Sequence, residues 1–111
     1  MESILISIKK LLGLTVECKD FDADLIIHIN SVFRILHQMG VGPKERFKIE
    51  DDIAVWTEFI TDEDDLDDVK TYIYQKVKLI FDPPLNSAHI NALKESINEF
   101  EWRLNAEAES K

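Results

Sequence analysis

Glycine and proline together supply only six of 111 residues, and all six fall between runs of helical apolar periodicity, never inside one. Gly13, Gly40 and Gly42 each follow such a run, where a left-handed residue closes a helix without steric penalty. Pro43 and the pair Pro83-Pro84 stand in the gaps, where a missing N–H interrupts no helical ladder. Punctuation and periodicity point to the same answer, an all-α chain.

The runs can be followed residue by residue. Ile4, Ile8, Leu11 and Leu12 share one face, with Leu5 beside them. Leu25, Ile29, Val32, Leu36 and Met39 form a continuous stripe at steps of three and four, widened by Ile26 and Phe33. Leu66, Val69, Ile73, Val77 and Ile80 repeat the pattern, and Tyr72, Tyr74, Leu79 and Phe81 add apolar surface around that helix, which predicts a central position for it. Ile90, Leu93, Ile97, Phe100 and Leu104 make the last stripe. The spacing predicts helices over 3–12, 23–39, 65–81 and 87–107, with a shorter helix near 53–60. Asp22, Asp64 or Asp65, and Asn86 or Ser87 are the expected N-caps. Val41 to Asp52 has no helical period. Arg46-Phe47-Lys48-Ile49-Glu50 alternates polar and apolar, so the stretch around 44–50 reads as a short strand or an extended loop pinned by Phe47 and Ile49. With no repeat or linker, the chain reads as a single helical domain over 1–105, a compact bundle of four main helices plus the short one. A polar tail follows at 106–111 and is expected to be loose until a partner orders it.

Composition narrows the function classes. Hydrophobic residues make up 45% and charged residues 32%, enough of both for a soluble globular core without staples. A single cysteine, Cys18, can form neither an internal disulfide nor a multi-thiolate zinc site, and a reduced thiol in a cytoplasmic setting is the expectation. The uncharged stretch of the second run, Leu25 to Phe33, is far short of the about 20 residues a membrane span needs. Met1-Glu2-Ser3-Ile4-Leu5 lacks a basic leader region and Lys9-Lys10 would interrupt an apolar one, so no signal peptide is expected.

The net charge is −9 and unevenly placed: residues 1–55 carry 7 basic and 9 acidic side chains, residues 56–111 carry 6 and 13. Asp62-Glu63-Asp64-Asp65-Leu66-Asp67-Asp68 is the densest part. Carboxylates at that density could hold a divalent cation. Counted as an EF-hand loop from Asp62, however, the glycine position is Asp67 and the final glutamate position is Ile73. The alternative is a helix N-terminus whose acids complement the macrodipole. His28 and His37 lie on opposite sides of one helix, and His89 stands alone in the first turn of another, so the three assemble no metal site. No nucleophile elbow, P-loop or paired-histidine motif occurs, and Cys18 has no visible base partner. These observations argue against an enzyme, and no cofactor is expected. Attraction to DNA phosphates would need a basic face that the chain lacks. Trp56 and Trp102 both sit among acids, and Trp102 lies well off the stripe through Phe100, which marks a second apolar face of the kind used in protein–protein contact.

Six strings fall in order along the chain: His28-Ile29-Asn30-Ser31-Val32-Phe33, Leu36-His37-Gln38-Met39-Gly40-Val41-Gly42-Pro43, Phe47-Lys48-Ile49, Trp56-Thr57-Glu58-Phe59, Phe81-Asp82-Pro83-Pro84-Leu85 and Glu99-Phe100-Glu101-Trp102-Arg103-Leu104-Asn105. Together they resemble the head–tail connector (adaptor, or head-completion) proteins of tailed phages and prophages of Gram-positive hosts, over about Ile4 to Asn105. The resemblance implies a structural virion protein, made in the host cytoplasm and placed at the head–tail junction. There it would assemble with itself as a ring, twelve copies when complete, beneath the portal protein. Such a ring extends the DNA channel and receives a stopper or tail-completion protein, with no catalytic residue, no membrane contact and no specific DNA binding. On that reading Phe47, Ile49, Trp56, Trp102 and Arg103 are the candidate contacts with portal or neighbouring protomer. Asp64, Asp65, Asp67 and Asp68 are candidates to face the channel, where like charge would keep DNA from adhering. The alternative reading is a small acidic phage-encoded interaction protein, a DNA mimic or an inhibitor of a basic host protein.

Overall fold

Ser3 begins the first helix by accepting the Ile6 N–H on its hydroxyl oxygen at 3.0 Å. This computed structural model describes residues 2–109 of the chain. Helix α1 (Ile4–Leu11) buries Ile4, Leu5 and Ile8 and stops before Gly13. Lys9, in its last turn, is buried as well. Its ammonium donates to the Val16 and Cys18 carbonyls at 2.9 and 2.6 Å and forms an ion pair with Asp22 Oδ1 at 2.8 Å. That contact explains a departure from the expected cap. Helix α2 (Asp22–Met39) starts on Asp22 itself, without a side-chain cap, because the Asp22 carboxylate is turned to Lys9.

Leu25, Ile29, Val32, Phe33 and Leu36 of α2 are buried, as their spacing predicts. Gly40, in the left-handed region, closes the helix, and the Val41 N–H returns to the Leu36 carbonyl at 2.9 Å. The following segment contains no strand. The alternating stretch at 46–50 is a loop laid on the core, and its backbone partner is a side chain: Asn30 donates to the Ile49 carbonyl and accepts the Ile49 N–H, both at 2.8 Å. Among the described residues, sheet-like pairing is confined to one antiparallel bridge between Ser3 and Val55. The helix expected near 53–60 is reduced to one 3₁₀ turn, Trp56–Glu58, whose Glu58 carboxylate accepts the Val55 N–H at 2.7 Å.

Helix α3 (Glu63–Phe81) is capped by Asp62, two residues before the nearer of the expected caps, Asp64 and Asp65. Asp62 Oδ1 accepts the N–H groups of Asp64 and Asp65 at 3.0 and 3.1 Å. Val69, Tyr72, Ile73 and Val77 are wholly enclosed, since α3 lies between α2 and α4 and under α1. Asp82, held out of the helical region before Pro83, ends it. Asn86 then caps α4 (Ser87–Glu109) through the Ala88 and His89 amides. Helix α4 continues through Glu109, four residues into the segment expected to be a loose tail; Ser110 and Lys111 lie outside the described residues. Ala106-Glu107-Ala108-Glu109 are all strong helix formers. The four helices form an all-α slab of 39 × 35 × 20 Å.

Candidate docking surfaces

The side chains singled out for contact divide into two groups by burial. Ile49 and Trp56 are each only 1% exposed, so the protomer has already covered both and neither is offered to a neighbour. Trp56 is anchored from two sides: its indole N–H donates to Ser7 Oγ at 2.9 Å, and the Lys70 ammonium lies 5.5 Å from the ring centroid. Phe47 is half-buried. Its ring meets Phe33 and Phe59 at centroid distances of 5.0 and 5.4 Å, and Phe33 meets Phe59 at 4.7 Å. This trio fastens the loop at 41–59 to α2.

Trp102 is different. It is 72% exposed on α4, while Ile97 and Leu104 of that helix are buried. Arg103 beside it is held by Glu99 at 2.6 Å and lies 5.6 Å from the Phe100 ring, so the rim of the Trp102 patch is preordered. Leu85, fully exposed at the α3–α4 corner, and exposed Ile80 extend apolar surface toward one end of the slab. At that same end Phe21 packs edge-on against Phe81, with centroids 5.4 Å apart.

The opposite end is acidic and concave. A cleft of about 490 Å³ opens between the C-terminal ends of α2 and α4 and the start of α3. Val41, Phe59 and Leu104 contribute apolar surface; Glu58, Asp62 and Asp65 contribute carboxylates. Gly42 makes this close packing possible. Its φ of +94° suits glycine, and a β-carbon there would lie 2.5 Å from Phe59 Cε1. The four acids proposed from sequence to act together are therefore divided. Asp65 lines the cleft, Asp64 and Asp67 are exposed, and Asp68 is half-buried. Among the described residues, no group of three or more His, Cys, Asp or Glu side chains is arranged to hold a metal ion.

Electrostatic coupling also reaches across the α3–α4 seam. Tyr72 donates its phenolic hydrogen to Glu101 Oε2 at 2.8 Å, and Lys76 approaches the same oxygen at 4.0 Å. Burial, reinforced by that carboxylate, pushes the Tyr72 phenol far above its ordinary range. Gln75 and Ser96 bond across the same seam at 2.9 Å. Sequence periodicity did not reveal these polar pairs, because Glu101 and Ser96 sit on the polar flank of an amphipathic pattern.

Exposed aromatic and aliphatic side chains at one end and along α4, with a fixed acidic cleft at the other, define a small helical protein built for contact with other macromolecules. Residues 4–111 match the family model described as phage connector protein, and the chain belongs to that family. Its general role is thus that of a structural head–tail connector, a component of the phage particle. No curated protein and no solved structure matches the chain. No helix among the described residues is long and apolar enough to cross a membrane.

Proposed function

We propose that the protein assembles as a ring beneath the portal of a DNA-filled capsid, prolongs the DNA channel and presents a seat for the stopper or tail-completion protein. Family membership over residues 4–111 carries this reading. The shape of the protomer supports it: twelve slabs 20 Å thick, standing side by side, close into a ring with a central hole of about 40 Å, wide enough for a duplex. Trp102, with Arg103 at its edge, is the contact offered to the portal or the next protomer; Phe47 contributes by holding the loop at 41–59 on Phe33 and Phe59. Asp64 and Asp67 are the acids best placed to face the channel, and a lumen of that charge lets DNA pass without counterion-releasing contacts.

Sedimentation velocity of the purified protein, alone and with portal-filled capsids, tests the reading. Co-sedimentation that saturates at a fixed number of copies per capsid is expected. Failure to associate over a range of salt concentrations would overturn it.

A further inference from the structure

The loop after Gly42 leaves the rim of the acidic cleft at Pro43 and runs back along α2 to the clamp that Asn30 forms on Ile49. Asn30 lies ten residues before Gly40, about 15 Å along the helix axis. The loop is thereby held with Phe47 packed on the core and Ile49 within it, while Lys44, Arg46 and Lys48 stand in solvent. Exposed Arg34 is one turn beyond Asn30 on the same helix face. None of these four cations takes part in an ion pair among the described residues. Glu45 lies within the strip and Glu50 to Asp52 follow it, so the cations form a narrow band rather than a broad basic face.

The cleft offers the complement. The Glu58 and Asp62 carboxylates accept backbone N–H groups, of Val55 and of Asp64 and Asp65 respectively, which fixes their positions without neutralising them. Between these acids, Val41, Phe59 and Leu104 give the cleft apolar surface suited to the methylene stems of arginine and lysine.

We propose that the basic strip Arg34–Arg46–Lys48 of one protomer seats against the Glu58–Asp62 rim of a second copy of this chain. The inference rests on the ring reading above and gives that ring its contact. Within the protomer neither Arg46 nor Lys48 forms an ion pair with Glu58 or Asp62 among the described residues. The pairing is therefore heterologous, joining different surfaces of successive copies. Such contacts propagate head to tail and give a ring where the rotation between copies closes. Because the chain carries a net charge of −9, copies repel at a distance, and this local complementarity selects a single register.

Two measurements on the full chain test it. Zero-length carbodiimide coupling of concentrated light- and heavy-isotope protein is expected to join Lys48 of one copy to Glu58 or Asp62 of another. Absence of that intermolecular link overturns the contact. In sedimentation, Arg46→Glu/Lys48→Glu is expected to weaken self-association by at least about tenfold. The same reversal should have little effect in a Glu58→Gln/Asp62→Asn background, where the caps persist and the charge is gone. Equal weakening in both backgrounds also overturns the contact. Capsid binding by the wild-type chain without the Lys48 link refutes this contact and leaves the connector reading standing; the link without capsid binding does the reverse.

Discussion

Alanine at Gly42 adds one carbon where two independent penalties meet. The first is conformational: at a φ of +94°, an L-residue with a β-carbon costs about 1–2 kcal/mol. The second is steric. The new atom would lie 2.5 Å from Phe59 Cε1 and 2.6 Å from Cζ. The ring cannot retreat freely, because Phe33 and Phe47 already stand 4.7 and 5.4 Å from its centroid. Overpacking of this kind costs about 1–3 kcal/mol, so Gly42→Ala should lose about 2–5 kcal/mol in all. Gly13→Ala isolates the first penalty, since Gly13 has a φ of +80° with nothing within 4 Å of its added carbon. Urea unfolding of the two variants compares them directly. With a slope of about 1–3 kcal/mol per molar, the midpoint of Gly42→Ala should fall roughly 1 M below that of Gly13→Ala. Combining Gly42→Ala with Phe59→Leu should cost less than the two changes summed, because the smaller side chain yields space. Coincident midpoints for the two glycine variants would refute the reasoning and show that the aromatic trio is soft.

Lys9→Met should cost about 3 kcal/mol, the lower end for breaking a buried pair, because Asp22 is partly open to water; a loss in urea unfolding below about 1 kcal/mol would sink this account of α1. Tyr72 should remain a neutral phenol in alkali: its contribution to stability is whole below its ordinary value of 10.0 and declines as pH rises above it, where only the unfolded chain ionises readily. Alkaline absorbance titration of wild type against Tyr72→Phe checks this, and a Tyr72 signal appearing at its ordinary pH while the fold persists would contradict it. Trp102→Ala should leave the unfolding midpoint nearly unchanged, since the side chain is largely solvated, yet weaken co-sedimentation with portal-filled capsids; undiminished capsid binding would remove Trp102 from the contact surface.

The two tryptophans show where sequence reading succeeds and where it stops. Trp102 lies inside a long periodic helix, so its angular distance from the Phe100 stripe could be calculated, and it is exposed as that phase implies. Trp56 lies where a short helix near 53–60 is expected and only a 3₁₀ turn forms, and its acidic neighbours made it resemble Trp102. Its burial depends on Ser7, 49 positions earlier, which receives the indole N–H, a pairing that no local pattern encodes. The caps follow the same division. Asn86 sits where its spacing places it, whereas Asp22 is diverted by Lys9, and Asp62 starts α3 before the apolar stripe begins. Helix existence follows from local periodicity. Long-range polar partners decide helix starts and the fate of side chains in irregular segments.

The stretch Arg46-Phe47-Lys48-Ile49 extends that argument to function. Its alternation is the signature of a chain with one side in the core and one side in solvent, and a strand is only one way to satisfy it. Here no neighbouring strand supplies the backbone partners; the Asn30 amide meets both groups of Ile49, and the Phe33–Phe47–Phe59 rings hold the segment down. The consequence is mechanical. A free loop would lose conformational entropy for every residue it ordered on binding, about 1–2 kcal/mol of backbone freedom each. With Phe47 and Ile49 already fixed, Arg46 and Lys48 have been positioned by folding before any second copy arrives. On the proposed contact the inward residues serve the interface without touching it, because they hold the outward cations in solvent.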